Sequence, residues 1–296
     1  MRLFVQACIL GLLTGGVYAL MASGLTLAFG IMRVINVAQG AMIVLGSYLS
    51  YTAFTRFHID PLASILLITP ILFLVGVGVQ LAFLRPLRRE DRESLSLLVT
   101  WAIALGVEGL LGLFYNNNYR SIITGYSDSS WRILGYSISE VRVFAFAISM
   151  SILVALFLLL RWTRFGRAVR GTVQNPVSAA LLGVDSNRIS ALGFGISIAT
   201  AGAAGAVFGM IFPFDPGSHY DLISRLLTIV VLGGMGSLGG AVVAALFMGV
   251  AQSVLEAGVV PFIPPAWSSF VFFVALIAIL VIRPQGLFGT VERGSL

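Results

Sequence analysis

The sequence contains no lysine, a single cysteine and two histidines among its 296 residues. A Walker A loop needs the lysine of G-x-x-x-x-G-K-[ST] to reach the terminal phosphates of a nucleotide, so hydrolysis of ATP by that motif is excluded. The one cysteine, Cys8, excludes an intrachain disulfide and a thiolate metal site. We therefore expect no catalytic residue, no cofactor and no metal in this chain.

Charge is also scarce. Charged residues make up 10% of the chain and hydrophobic residues 58%, whereas soluble domains carry roughly 25% and about 45–50%. So few charges cannot cover the surface of a folded chain of this size, so most of the outside must face lipid. The net charge of +6 comes without an arginine stripe interleaved with aromatics, so we expect no binding to nucleic acid.

Long apolar runs fill most of the sequence, and each is near the roughly 20 residues that a spanning helix needs. They predict an all-α, polytopic membrane helical bundle that forms one domain over 1–296, with about eight or nine hydrophobic elements. The run 222–255 is interrupted by Gly233–Gly240 and predicts a broken or re-entrant hairpin. The first run is too long for a signal-peptide core and is expected to be retained. The runs are Leu3–Phe29, Ile31–Phe54, Pro61–Leu84, Leu95–Tyr115, Val141–Leu160, Ile189–Phe212, Leu222–Leu255 and Trp267–Ile282.

The arginines predict the orientation of these runs. Eleven of the 18 basic residues lie in the loops 85–94 and 161–188 and in the tail 283–296, which the positive-inside rule assigns to the cytoplasm. The loop 116–140 then lies outside, as does the N-terminus. The tail is cytoplasmic only if the run 222–255 returns to the side it entered from, so the sequence predicts nine crossings, or seven and a re-entrant element.

The loop 161–188 contains the signals of a short helix at about 176–182. Asn175 is a good N-cap, Pro176 suits the first helical position, and Gly183 suits the position just past the end. A helix of this length is not stable alone, and one reason to keep it is docking into a groove of a soluble partner. The alternative is an ordinary positive-inside loop with an incidental helical turn.

Four segments carry a family resemblance. The run GRAVR at Gly166–Arg170, followed by QNP and AALLGV, resembles the coupling loop of permease subunits of branched-chain amino-acid type ABC importers, the LivH type. The segments Gly24–Leu49, Ala191–Gly209 and Val230–Gln252 are similar to the same family. The similarity runs in register from near Gly11 to Phe288, with the blocks in family order.

The resemblance implies the membrane-spanning permease subunit of an ATP-driven importer, multi-pass in the bacterial inner membrane and without an ATPase site of its own. Its partners would be a second related permease, two ATP-binding subunits that bind the ATP, and a periplasmic substrate-binding protein, with lipid around the bundle. The implied substrates are branched-chain or other hydrophobic amino acids, or alternatively urea, amides or aromatic acids. The residues implied to couple to the ATPase are Arg167, Arg170, Asn175, Pro176, Ala179, Ala180, Leu181, Leu182 and Gly183.

Polar and glycine positions inside the apolar runs are candidates for the translocation path. Asn36 and Gln39 share a helix face and either line the path or hydrogen-bond neighbouring helices. Glu108 either pairs with Arg33, binds a substrate ammonium, or stays protonated against a carbonyl. Gly233, Gly234 and Gly236 either mark a broken helix at the path or permit close helix packing, with Gly236 and Gly240 forming a G-x-x-x-G face like Gly11 with Gly15 and Gly205 with Gly209.

The remaining polar residues have simpler interpretations. His58 and His219 are expected to be solvated in outside loops, and Asp221 with Arg225 to form an exposed i,i+4 pair. A secondary carrier or channel is the less favoured alternative, because it needs a chain of intramembrane ionisable groups. Glu108 and Arg33 are too few to form such a chain. An intramembrane enzyme is disfavoured because the sequence has no G-x-S-x-G motif and no pair of intramembrane aspartates.

Overall fold

The computed structural model describes residues 1–32, 34–87, 92–126, 129–133, 135–259, 264–283 and 286–288. The expected all-α membrane bundle is confirmed, and within the described ranges the strands form one antiparallel hairpin that pairs Ser130 with Ser139. A π-helical turn at Gln80–Leu84 extends α3, and 3-10 turns at Pro216–Ser218 and Pro265–Ser269 precede α9 and α11. The elements are α1 (Arg2–Met32), α2 (Gln39–Phe57), α3 (Pro61–Val79), α4 (Arg92–Tyr115), β1 (Ser130–Ile133), β2 (Tyr136–Ser139), α5 (Glu140–Trp162), α6 (Arg164–Gln174), α7 (Pro176–Leu181), α8 (Ser186–Ile211), α9 (His219–Gly233), α10 (Leu238–Glu256) and α11 (Phe270–Ile282).

Seven segments of the described chain are long and apolar enough to cross a membrane. They are Arg2–Met32, Pro61–Leu84, Ser94–Tyr115, Glu140–Trp162, Ser186–Ile211, Leu238–Glu256 and Pro265–Ile282. The predicted run Ile31–Phe54 is not one helix, because α1 continues to Met32 and α2 begins only at Gln39. The run 222–255 is a hairpin of α9 and α10, joined by a turn at 234–237.

Helix α8 lies at the centre of the bundle. About 89% of an 18-residue apolar stretch of α8 is buried, against 17% of the corresponding stretch of α4. Helix α4 therefore lies at the periphery. Backbones in the centre approach closely through glycine: a Cβ on Gly205 of α8 would lie 2.0 Å from the Ile43 carbonyl oxygen of α2, and one on Gly15 of α1 would lie 2.8 Å from the Leu246 Cα of α10. These contacts agree with the predicted small-residue faces and bury backbone against backbone.

Loop contacts define one end of the bundle, here called the β-hairpin end. The Gln6 side chain donates to the Ser137 carbonyl at 3.4 Å, and Arg120 and Phe214 exchange backbone hydrogen bonds of 2.8 Å. The Tyr126 hydroxyl donates to Asp60 at 3.1 Å. Burial and the Asp60 carboxylate raise the pKa of Tyr126 to about 12, so this phenol stays a donor at neutral pH. The start of α1, the loop 116–140 and the start of α9 thus share one end.

The opposite end carries α6 and α7 and is here called the α7 end. Ile31 at the end of α1 meets Gly193 near the start of α8, and Gly30 meets Gly236 in the α9–α10 turn. The residues 286–288 return to the end of α9, where the amides of Leu287 and Phe288 donate to the carbonyls of Leu232 and Gly233 at 2.9 and 3.3 Å. Of the loops and tail predicted to be cytoplasmic, residues 88–91, 284–285 and 289–296 lie outside the described residues.

Candidate docking helix and translocation path

Helix α7 is capped at both ends by the residues that the sequence singles out. The Asn175 Oδ1 accepts hydrogen bonds from the amides of Val177 and Ser178, each at 3.0 Å. Gly183 has a φ of +83°, a left-handed conformation that favours glycine. Pro176 occupies the first helical position, where a missing amide costs nothing. The helix is therefore held by its own local sequence.

The surface of α7 is apolar and uncovered. Leu181 and Leu182 are each 85% exposed and Val177 is 66% exposed, whereas Ala179 is 4% exposed and packs inward. Ala180 is exposed beside Leu181. Large aliphatic side chains clustered on a short helix at the end of the bundle are typical of a docking surface, because water does not stabilise them there.

Arg167 and Arg170 hold the loop 161–188, here called the candidate docking loop, against the bundle. Arg170 donates to the carbonyls of Leu160 and Arg161 at 2.6 and 3.4 Å, and Arg167 donates to the carbonyl of Trp162 at 3.3 Å. These carbonyls belong to the last turn of α5, which has no intrahelical donors for them and carries partial negative charge. Both arginines therefore fix α6, and through it α7, to the end of α5.

A cavity of about 290 Å³ lies beneath α6. Its wall is formed by Gly30 of α1, Leu160 of α5, Arg170 of α6 and Gly236 of the α9–α10 turn. The candidate docking loop and the glycine-rich turn therefore face the same space.

The candidate glycines form the end of α9 and the turn after it. Gly234 and Gly236 have φ angles of +95° and +85°, and Ser237 caps α10 by accepting from the Gly240 amide at 3.1 Å. A Cβ on Gly233 would lie 2.5 Å from the Gly240 carbonyl carbon. The predicted G-x-x-x-G helix face of Gly236 and Gly240 is wrong, because Gly236 lies in the turn before α10 begins.

Asn36 and Gln39 are fully buried at the break between α1 and α2. The Asn36 amide donates to the Gln39 Oε1 at 3.2 Å, and the Gln39 amide donates to the Ser197 carbonyl of α8 at 3.3 Å. The Ser197 hydroxyl donates to the Gly24 carbonyl of α1 at 2.6 Å. This network joins α1, α2 and α8, and neither amide side chain is open to solvent. Arg33, the other polar residue of the segment, lies outside the described residues.

Glu108 of α4 bonds to the start of α9. Its Oε2 lies 3.0 Å from the His219 Nε2 and accepts from the Tyr220 hydroxyl at 2.9 Å. The His219 side chain is 2% exposed, so its expected solvation is wrong. The segment before it is polar and typical of a loop, but the chain folds back into the bundle there. The His219 backbone lies against α2, where a Cβ on Gly40 would lie 2.6 Å from the His219 carbonyl oxygen. His58 is exposed, as expected.

Arg225 is also more buried than the sequence predicts. It forms the predicted pair with Asp221, at 2.7 Å, but its side chain is only 16% exposed. Its guanidinium donates to the Tyr18 hydroxyl at 2.9 Å, to the Gln252 Oε1 at 3.4 Å and to the Ser269 hydroxyl at 3.3 Å. Arg225 thus joins α9 to α1, α10 and the turn before α11. An i,i+4 spacing predicts the ion pair, but nothing in the local sequence indicates the distant partners.

The seven long apolar helices of the described chain define a polytopic integral membrane protein. The family described as "Branched-chain amino acid transport system / permease component" matches residues 8–280. The chain belongs to this family.

Individual relatives match over nearly their full lengths. The chain is 30% identical to the high-affinity branched-chain amino acid transport system permease protein BraD of Pseudomonas aeruginosa, over 98% of this chain and 97% of that protein. It is 27% identical to the corresponding LivH protein of Escherichia coli strain K12, over 98% and 96%. It is 28% identical to the probable LivH protein of Methanocaldococcus jannaschii, over 91% and 88%.

Proposed function

We propose that this chain forms the path for branched-chain or other hydrophobic amino acids in an ATP-driven importer, and that α7 is the element that couples the path to the ATPase. The observation that carries the proposal is the uncovered apolar surface of α7, which Arg167 and Arg170 tie to the end of α5. Two ATP-binding subunits would cover Val177, Leu181 and Leu182 and bind the ATP, so the chain itself needs no cofactor and no ATPase site.

The other partners are a second related permease and a periplasmic binding protein that delivers the substrate. The α7 end faces the cytoplasm in this proposal, and the β-hairpin end, with the N-terminus and the loop 116–140, faces the periplasm across the bacterial inner membrane. Support comes from the arginine-rich segments 161–188 and 283–296, which share the α7 end as far as they are described.

In the proposed mechanism, closure of the ATP-binding subunits pushes α7. Because α6 is bonded to the end of α5 and shares a cavity wall with Gly236, the push reaches both α5 and the α9–α10 hairpin. The turn at Gly233, Gly234 and Gly236 yields, and α9 moves along the path that Glu108 borders. Asn36 and Gln39 hold the central helices together behind this path while the hairpin moves.

The docking role is tested by Leu181→Arg and Ala180→Trp in cells that carry the whole importer. Each variant disrupts the apolar surface without touching the α5 contacts, so we expect leucine uptake to fall at least tenfold at normal membrane expression. Asn187→Arg, exposed at the same end of the bundle, is the matched control and should retain uptake. Normal uptake in both α7 variants would refute the docking role.

A second test measures transport by the isolated chain. Reconstituted in liposomes with an imposed proton gradient, it should accumulate no leucine, whereas the complete importer with ATP should. Robust uptake by the isolated chain would favour a secondary carrier instead.

A further inference from the structure

The outward faces of the peripheral helices differ in polarity. On α3 and α11 the large exposed side chains are apolar, with Leu66 and Val281 at 80% and 78% exposure. On the face shared by α4 and α9, the exposed groups include Tyr220 at 41% and the Asp221 side chain at 55%, with Glu108 at 28%. Exposed ionisable groups are costly in contact with lipid, so this part of the α4–α9 face, at the β-hairpin end, borders water.

A cavity of about 500 Å³ opens on this face at the β-hairpin end, between the end of α8 and the start of α9. Its lining includes the charged residues Asp215, Asp221 and Arg225 and the aromatic residues Phe208 and Phe212. The volume falls within the roughly 300–1,000 Å³ typical of small-molecule sites, which also combine apolar walls with a few placed polar groups.

The two charges nearest each other in this cavity are held very differently. Arg225 is fixed by Tyr18, Gln252 and Ser269 and by the face of Phe272, whose ring centroid lies 5.4 Å from the guanidinium carbon. Asp221 is more than half exposed and meets Arg225 through one carboxylate oxygen at 2.7 Å. The cation is therefore rigid, whereas the anion is free to turn away into the cavity.

We propose that this cavity receives an α-amino acid as a zwitterion by exchange of ion pairs. The substrate carboxylate replaces Asp221 on the Nη2 of Arg225, and the released Asp221 carboxylate binds the substrate ammonium. One ion pair becomes two, and no net charge enters the membrane. The aliphatic side chain of the substrate lies against Phe208 and Phe212. This inference rests on the proposed function and assigns a site to it.

The exchange also explains why a paired aspartate suits a transport site. An arginine with no counter-ion would be costly in the empty path and would hold an anion tightly, whereas Asp221 closes the site when the substrate leaves. A molecule that lacks the carboxylate or the ammonium leaves Arg225 or Asp221 without a partner. Urea, amides and aromatic acids therefore fit this cavity less well than amino acids do.

The test uses the complete importer in proteoliposomes, with leucine as the probe and with leucine moved per ATP hydrolysed as the readout. We expect Asp221→Asn to lower this ratio at least tenfold while the loaded binding protein still stimulates ATP hydrolysis. Asp221→Glu keeps the carboxylate and should retain most of the transport. Ser224→Ala, on the same helix but outside the cavity wall, is the control and should match the wild type.

A second variant guards against misassembly of Asp221→Asn. Gly217→Leu fills the cavity and leaves the ion pair in place, so it should also uncouple leucine transport from ATP hydrolysis. Wild-type transport by Asp221→Asn, or by Gly217→Leu where the former does not assemble, would overturn the site. Failure of the proposed function would look different, because the wild-type importer itself would then move no leucine.

Discussion

Several polar residues inside this bundle are bonded to residues of other elements. Gln39 bonds α8, Glu108 bonds the start of α9, and Arg225 bonds α1 and α10. A buried polar group that loses its partner costs about 1–3 kcal/mol, so these bonds fix which helices are neighbours. Sequence alone indicates that such residues face inward, but it does not reveal their partners.

Glycine contacts at the centre are equally specific. We expect Gly205→Ala to lower the melting temperature of the purified protein, because the added methyl group would lie 2.0 Å from the Ile43 carbonyl oxygen. Forcing an atom into a packed site costs roughly 1–3 kcal/mol. The measurement is thermal unfolding in detergent.

Gly78→Ala on α3 is the matched control, since nothing lies within 4 Å of the added atom. It should leave the melting temperature unchanged or raise it slightly, because alanine is favoured over glycine in a helix by about 1 kcal/mol. Equal melting temperatures for the two variants would contradict the close approach of α2 and α8.

Among the elements, α7 is the most dependent on local sequence. Replacement of Asn175 by alanine removes the acceptor for two amides and should cost about 1 kcal/mol of helix stability. We expect faster hydrogen exchange at the amides of Val177 and Ser178 and a several-fold loss of leucine uptake by the importer. Asn187→Ala, whose side chain is exposed, should change neither; slow exchange in Asn175→Ala would show that packing rather than the cap holds α7.

The elements also show where sequence reasoning succeeds. Apolar runs of spanning length identify α1, α3, α4, α5, α8 and α10 within a few residues, because lipid demands that composition over that length. The sequence predicts the start of α2 too early, because the break before Gln39 does not interrupt the apolar composition. It predicts the start of α9 too late, because the first residues of that helix are polar. His219 shows the same limit, since its burial depends on how the chain re-enters the bundle.

At the scale of the whole molecule, the two ends should label from opposite sides of the membrane. With the only cysteine removed by Cys8→Ser, a cysteine at exposed Tyr119 should react with a membrane-impermeant maleimide in intact spheroplasts. A cysteine at exposed Ser178 should react only after the membrane is opened. The reverse pattern would invert the proposed orientation, and labelling of both positions in intact spheroplasts would contradict a single orientation.

The backbone bonds between residues 287–288 and the last carbonyls of α9 join two segments that are distant in the sequence. Helix α9 begins beside Glu108, carries Asp221 in its first turn and ends at these bonds. A displacement at one end is therefore passed along a stiff rod of about 22 Å, given 15 residues at 1.5 Å each. A fluorophore placed at Phe288 would thus report on a displacement at the start of α9. Residues 287–288 would therefore move with α9 and report its displacement.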